Sequence, residues 1–197
     1  MDISRLEQQI QFILEIDKLK LILRQNYLSD GSRRENDTEH SWHLAMMVAV
    51  LAEYFNGADI LKTLKMVLIH DIVEIYAGDT FAYDEQGYLD KVEREQQAAD
   101  KIFSMLPADQ EKEYKELWQE FEAMETDEAI FAAAVDRIQP LLMNSASEGK
   151  MWKQHKVTVD KVLARNKMVF EKAPEAIAEF VRKRIRESSE NHYLHEE

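Results

Sequence analysis

The sequence predicts an all-α protein folded as a single domain, and three observations support this. The chain has 197 residues, enough for one sizeable hydrophobic core. It contains only 5 Gly and 3 Pro, too few for the many tight turns of a sheet-rich protein. Its apolar residues, 45% of the chain, recur at helical spacing in nearly every segment. No linker, internal repeat or low-complexity tract divides the chain, so we expect one domain over residues 1–197.

Three helices are predicted in the first half of the chain. Thr38 and Asp59 each precede an apolar-periodic run and can act as N-caps, and Gly78 can end the run that follows Asp59. The polar stretch between the first two helices contains a turn signal at Asp30-Gly31. The helices are therefore expected up to about residue 23, at 39–56 and at 60–76.

The second half of the chain is predicted to contain a loop and five helices. Residues 79–88 combine acidic residues with a Gly and should form the loop. Pro107 and Thr126 mark helix starts, and Pro174 suits the first position of the last helix. Residues 145–157 have no clear period. The helices are expected at about 89–105, 108–124, 127–144, 158–171 and 174–187.

The composition restricts the partners of the chain. A formal net charge of −13 would repel a nucleic acid polymer, so we expect none. The N-terminus has no signal-peptide h-region, and no apolar run approaches the roughly 18 residues of a membrane span. We therefore expect no membrane partner and a cytoplasmic location. A small anionic substrate remains possible if a bound divalent cation supplies a local positive charge.

Four titratable side chains are expected to point into the core. His40 extends the apolar stripe of its predicted helix. His70 and Asp71 follow Val67 by three and four residues and so continue the stripe of the next helix. Asp136 lies on a helix face of small residues, where another backbone or an ion can approach closely.

These four residues form a candidate metal site. An ionised Asp on an apolar stripe is costly unless it is paired or binds a cation. The chain has no Cys, so a metal must use His, Asp or Glu. Two imidazoles and two carboxylates suit one divalent ion such as Mn²⁺, Co²⁺, Zn²⁺, Fe²⁺ or Mg²⁺. Taken singly, each residue has a simpler interpretation: a hydrogen-bonded core histidine, a solvated helix end, or a salt bridge from Asp136.

The segments LKLILR, RRENDTEHSWH, LIHDIVEIYAGDT and AVDRIQPLL, within about residues 17–145, resemble the HD-domain metal-dependent phosphohydrolases. Among these they are most similar to the HD-domain 5′-deoxynucleotidases. The resemblance implies a single-domain HD-type helical bundle, a role for Glu74 and Asp79 beside the metal, and a role for Arg24 on the substrate. In one respect the chain departs from the family: Gln25 follows Arg24, where the bacterial deoxynucleotidases carry a Trp that helps to shape the sugar pocket. The metal ligands that the resemblance implies are His40, His70, Asp71 and Asp136.

The activity expected from this resemblance is hydrolysis of phosphate monoesters, with (deoxy)nucleoside monophosphates as substrates. Asp79 or Glu74 would orient or deprotonate the attacking water, and the other would assist protonation of the leaving group. Arg24 would neutralise the phosphate or bond the sugar, with Arg33 and Arg34 as further substrate-binding candidates. An all-helical chain of this kind, and the resemblance itself, also predict a homodimer.

Two other functions are compatible with parts of the sequence. A di-iron oxygenase of the HD type would need further inward histidines, and only His43 and His155 are available outside the C-terminal tail. A non-catalytic nucleotide- or metal-binding helical domain would have no need of Glu74 and Asp79 beside a complete ligand set. Phosphate release with a divalent ion, consumption of O₂ with iron, or neither activity distinguishes the three.

Overall fold

The computed structural model, which describes residues 4–196, confirms the all-α prediction and adds one small antiparallel sheet. Strand β1, Leu23–Tyr27, pairs with β2, Arg34–Asn36, with Leu23 opposite Asn36 and Tyr27 opposite Arg34. The turn between them includes Gly31 at φ +68°, a conformation that Gly adopts without strain. The predicted first helix was wrong after residue 16, because the chain passes through a 3₁₀ turn into this hairpin.

The helices have the following bounds. They are α1 (Arg5–Ile16), α2 (Asp37–Leu51), α3 (Ile60–Ile69), α4 (Glu74–Ala77), α5 (Lys91–Phe103), α6 (Ala108–Ala123), α7 (Asp127–Ala146), α8 (Lys150–Gln154), α9 (Val159–Arg165), α10 (Lys167–Lys172) and α11 (Glu175–Glu190). Short 3₁₀ segments lie at Asp17–Leu21, Ala52–Tyr54 and His70–Val73. None of the helices in the described part of the chain is long and apolar enough to cross a bilayer.

Most helix starts agree with the capping signals. The Asp59 side chain accepts a hydrogen bond from the backbone N–H of Lys62, and Thr126 caps α7 in the same way. The cap of α2 is Asn36 and not Thr38. Asn36 and Glu39 form a capping box, in which each side chain accepts from the backbone N–H of the other residue. This box starts α2 two residues earlier than predicted.

Two predicted helices are interrupted. The helix predicted at 60–76 stops at Ile69 and tightens into the 3₁₀ segment His70–Val73 before α4, which Gly78 ends at φ +78°. The helix predicted at 158–171 breaks between α9 and α10 at Asn166, whose buried side chain donates to the carbonyl of Val162. The segment predicted to be irregular contains α8.

Helix α7 lies at the centre of the core. It packs against α2, α3, α6, α10, α11 and β1, and the side chains of residues 131–135 are fully buried. The rings of Phe55 and Phe131 stack with their centroids 3.9 Å apart. Because α7 contacts both α2 and α3, it brings Asp136 close to His40 on α2 and to His70, which directly follows α3.

Candidate metal centre and its cleft

His40 is held against α7 by both ring nitrogens. The ring is fully buried, and its Nε2 lies 3.1 Å from Asp136 Oδ1. Its Nδ1 lies 3.1 Å from Gln139 Oε1, and the amide nitrogen of Gln139 donates to Glu35 at 2.7 Å. Because this amide group uses its nitrogen on Glu35, its oxygen must accept from His40 Nδ1. The Nε2 lone pair therefore remains available to a cation.

The 3₁₀ segment places His70 and Asp71 together at the same centre. His70 Nδ1 donates to the carbonyl of Val67 at 3.0 Å, which directs Nε2 towards the carboxylates. That Nε2 lies 3.0 Å from Asp71 Oδ1 and 3.8 Å from Asp136 Oδ1. His40 Nε2 is 3.9 Å from Asp71 Oδ2. The structure thus brings the four predicted ligands together, with all four residues buried.

The donor atoms suit a divalent cation. Ligand atoms of His40, His70 and Asp71 lie within 4.8 Å of one another. Within residues 4–196, the buried Nε2 of His70 has no partner in hydrogen-bond geometry. Each histidine uses Nδ1 on a protein oxygen and turns Nε2 to the cluster, the usual arrangement of metal-binding imidazoles. These residues therefore fit a metal with mixed nitrogen and oxygen ligands.

The charges in the cluster are strongly interdependent. Burial alone would lower the pKa of His70, but the charges of Asp71 and Asp136 outweigh it and raise the pKa to about 10. Burial alone would raise the pKa of Asp71, but the positive charges of His70 and Arg24 lower it. Burial alone would raise the pKa of Asp136, but its hydrogen bond to His40 and the nearby positive charges of His70 and Arg137 hold it well below its usual value. Without a metal, protonated His70 is the cation that balances these carboxylates.

Arg24 lies beside the cluster within a second group of carboxylates. Its Nη1 donates to Asp71 Oδ2 at 2.7 Å and to Asp37 Oδ1 at 3.1 Å. Glu74 is buried and Asp79 is partly buried near this guanidinium. Burial raises the pKa of Glu74 and of Asp79, and nearby carboxylates raise that of Glu74 further. A carboxyl group whose pKa is raised in this way keeps its proton to a higher pH than a free carboxyl group, which suits a role in acid–base catalysis.

Asp37 belongs to this group but was not identified from the sequence. It is fully buried, and burial raises its pKa to about 6. It lies three residues before His40 on α2, and this helical spacing places the two on the same face. That spacing is the signal that could have revealed it.

The other two predicted substrate-binding arginines lie outside the cleft. Arg33 is exposed and forms a bidentate ion pair with Glu39, with a shortest distance of 2.5 Å. Arg34 lies in β2 and does not line the cleft. His43 accepts from the Gln139 amide at 3.3 Å, and the ring of the exposed His155 packs against Phe81 with the two ring planes tilted by 47°. Neither histidine joins the cluster.

A cleft opens from the cluster towards solvent and encloses about 1100 Å³ of space, including its solvent-filled mouth. Gln25 lines the cleft beside Arg24. Three further cationic residues that the sequence analysis did not identify also line it: Lys91, Arg137 and Arg165. The aromatic lining consists of Phe81, Tyr83, Tyr88, Phe121 and Trp152.

Comparison with known proteins gives matches over most of the chain. The family model described as the HD domain matches residues 16–178. A crystal structure from Magnetospirillum magnetotacticum, described as a predicted metal-dependent phosphohydrolase, is 50% identical, with a TM-score of 0.93 over 98% of this chain and 97% of that chain. A conserved hypothetical protein from Pyrococcus furiosus is 26% identical, with a TM-score of 0.66 over 88% of this chain and 99% of that one.

Curated relatives have lower sequence identity to this chain than the Magnetospirillum protein has. The human 5′-deoxynucleotidase HDDC2 is 29% identical over 140 residues, which cover 71% of this chain and 68% of the human protein. The protein of the same name from Dictyostelium discoideum is 29% identical over 140 residues, covering 68% of this chain and 74% of its own length.

Proposed function

The chain belongs to the HD domain family, and we propose that it is a divalent-metal-dependent phosphohydrolase that removes the phosphate from (deoxy)nucleoside monophosphates. The convergence of His40, His70, Asp71 and Asp136 in one buried cluster at the base of a cleft carries this proposal. Relatives named 5′-deoxynucleotidase support the choice of nucleotides as substrates.

The residues around the cluster have different roles in the reaction. When bound by the four ligands, a divalent ion acts as a Lewis acid towards the phosphate. Arg24, at the edge of the cluster and lining the cleft, binds the anionic substrate on the Asp71 side. Glu74 and Asp79 are the acid–base pair: one orients or deprotonates the attacking water, and the other assists protonation of the leaving 5′-oxygen.

Gln25 is proposed to contact the sugar because it follows Arg24 and lines the same cleft. An amide can hydrogen-bond to a ribose 2′-hydroxyl, whereas the indole ring of Trp offers mainly packing surface. We therefore propose that this enzyme accepts ribonucleotides as well as deoxyribonucleotides.

A metal add-back assay tests the activity. Protein stripped with chelator is given Mn²⁺, Co²⁺, Mg²⁺ or Zn²⁺ singly, and phosphate release is measured from ribo- and deoxyribonucleoside monophosphates and from non-nucleotide monoesters. The same panel is run on Asp71→Ala and Glu74→Ala, with Asp160→Ala, an exposed Asp on α9, as the matched control. Release that requires the metal and is lost only in the first two variants supports the proposal.

The outcome of this assay also decides between the alternatives. Absence of phosphate release from protein that binds a metal would favour the non-catalytic binding domain. Iron-dependent consumption of O₂ would favour the oxygenase, although His43 and His155 lie away from the cluster.

We further propose a homodimer formed through α2. Trp42, Met46 and Val50, at positions i, i+4 and i+8, are 65%, 46% and 66% exposed and form an apolar stripe on the outer face of this helix. Contiguous exposed apolar surface of this kind marks interaction sites, and symmetric dimers are the commonest assemblies of soluble chains.

A cytoplasmic location is also proposed, since charged nucleoside monophosphates do not cross a bilayer unaided and the enzyme must share a compartment with them. Fractionation of the source cells, followed by detection of the protein with an antibody, tests this.

A further inference from the structure

Two arginines meet at the outer oxygen of the metal-ligand carboxylate Asp136. The Oδ1 atom of Asp136 faces His40 and His70, at 3.1 and 3.8 Å. The Oδ2 atom points the other way, accepts a hydrogen bond from Arg137 Nη1, and lies 3.9 Å from Arg165 Nη2. Both arginine side chains are partly buried, with 16% and 28% of their surface exposed, and both line the cleft.

The two arginines are positioned by different helices. Arg137 extends from α7, the central helix of the core, and Arg165 ends α9 on the facing wall. Arg165 Nη1 also donates to the hydroxyl of Tyr88 at 3.3 Å, which fixes the direction of its guanidinium. Two separate elements therefore direct cationic groups to one point beside the cluster.

The direct negative partner of the two guanidiniums is a single carboxylate, that of Asp136. Two guanidiniums share one carboxylate oxygen, and the same carboxylate also faces both histidines. Glu122 also lines the cleft and contributes a negative charge near Arg137, whereas Lys91, another cation of the lining, pairs with Glu95 at 3.1 Å. A partly buried pair of like charges with this little compensation is stabilised by an anion that enters from the cleft.

We propose that Arg137 and Arg165 form an anion subsite that binds the phosphate oxygens of the substrate on the Asp136 side of the metal cluster. This inference rests on the proposed function. Arg24 pairs with the outer oxygen of Asp71, whereas Arg137 and Arg165 lie at the outer oxygen of Asp136. Cationic groups therefore lie on two sides of the cluster. A tetrahedral phosphate can present oxygens in both directions, and guanidinium forks recognise such oxygens through paired hydrogen bonds.

Binding of inorganic phosphate to the Mn²⁺-loaded protein, measured by calorimetry, tests the subsite directly. The variants are Arg137→Met, Arg165→Met and Arg165→Lys. Arg182→Met is the matched control, because Arg182 is exposed on α11, pairs with Glu175 and does not line the cleft. Melting temperatures establish that each variant is folded, and KM and kcat for a nucleoside monophosphate are measured on the same samples.

We expect each Met variant to weaken phosphate binding about ten- to a hundredfold, the effect of losing a charge-assisted hydrogen bond. Arg165→Lys should lie between wild type and Arg165→Met, and Arg182→Met should match wild type. Phosphate affinities of folded Met variants within twofold of wild type would overturn the subsite. If Arg137→Met does not fold, the more exposed Arg165 still decides the question.

The subsite and the proposed function can fail separately. Arginine-dependent phosphate binding by a wild-type protein that hydrolyses no monoester would retain the subsite and remove the function. Hydrolysis that proceeds with unchanged KM in both Met variants would retain the function and remove the subsite.

Discussion

Gln139 and His40 are 99 residues apart in the sequence, yet the side-chain amide oxygen Oε1 of Gln139 lies 3.1 Å from His40 Nδ1 in the fully buried core. This contact determines which imidazole nitrogen carries hydrogen and which faces the cluster. The outer partner of a metal-binding histidine usually affects affinity for the ion.

Replacing Gln139 with Leu should therefore weaken metal binding. Leu has a similar volume but accepts no hydrogen bond, so His40 loses the partner that fixes its ring, and we expect Mn²⁺ affinity to fall about 10- to 100-fold. Calorimetric titration of metal-free protein measures this. Gln97→Leu, at an exposed position on α5, is the control. An unchanged affinity in a folded Gln139→Leu protein would show that the contact does not support the site.

Metal binding should release protons and strengthen with pH. The pKa of His70 is raised to about 10 in the metal-free cluster, and that of His40 is also raised. At pH 7–8 the ion must displace at least one proton, because only a neutral imidazole binds a metal. The apparent affinity should rise at least about tenfold per pH unit below pH 10. Titrations in buffers of different ionisation enthalpy count the protons, and a pH-independent affinity would contradict this.

The same pKa predicts how the metal-free protein responds to alkali. Protonated His70 stabilises the fold fully below the unfolded pKa of about 6.5, and this contribution is lost as the pH rises to about 10. Urea unfolding of metal-free protein at pH 6.5, 8 and 9.5 should give steadily lower free energies. Saturation with metal should remove most of this trend, since the ion then replaces the proton.

Glu74→Gln should separate metal binding from turnover. The amide keeps the shape of the side chain but cannot transfer a proton, so we expect kcat to fall about 10²- to 10⁴-fold. Because burial raises the pKa of Glu74, the neutral replacement should not lower the melting temperature. Mn²⁺ affinity should stay within a few-fold of wild type. A kcat close to wild type would exclude Glu74 from the acid–base pair.

Asp37→Asn should stabilise the protein above pH 6. The folded pKa of Asp37 is about 6, above its ordinary 3.8, so the folded state loses stability as the pH rises from about 4 to 6. Asn does not ionise, so the variant should be more stable than wild type by on the order of 3 kcal/mol at pH 8. Denaturant unfolding of both proteins at pH 4 and pH 8 measures the difference. Asp160→Asn, at an exposed site, should show no such pH-dependent gain.

Trp42→Glu should separate the proposed dimer into monomers. A charge at the centre of an apolar interface must be desolvated without a partner, which costs more than a typical interface can supply at one position. Light scattering after size-exclusion chromatography should report half the wild-type mass. Val92→Glu, at an 81% exposed apolar position on α5, should leave the mass unchanged. A monomeric wild type would remove the proposal outright.

The positions of the proposed ligands could be predicted from the sequence because they depend on helical period. His40 and Asp136 lie on regular helices, so their spacing from apolar neighbours indicated the inward direction. Asp59 and Thr126 were accessible for a similar reason, since a cap acts within three residues of itself. These signals are local, so they can be recognised in the sequence without knowledge of the fold.

Other features depend on contacts that no local pattern records. The hairpin was not predicted because its strands are short and polar. The break after Ile69 was not predicted because the residues on both sides of it have the composition of a continuous helix. Arg137 and Arg165 are ordinary residues on amphipathic helices until α7 and α9 face each other across the cleft. Their proposed role rests on the fold and could not be obtained from spacing.

The burial of the cluster between distant segments has a consequence for a chain without disulfides. His40 and Asp136 are 96 residues apart, and an ion held by both would close a covalent-like loop of that length. Closing a loop of about 100 residues restricts the unfolded chain by on the order of 4 kcal/mol in the cross-link model. The ion would then act as a removable cross-link, so a chelator would destabilise this protein as a reducing agent destabilises a disulfide-bonded one.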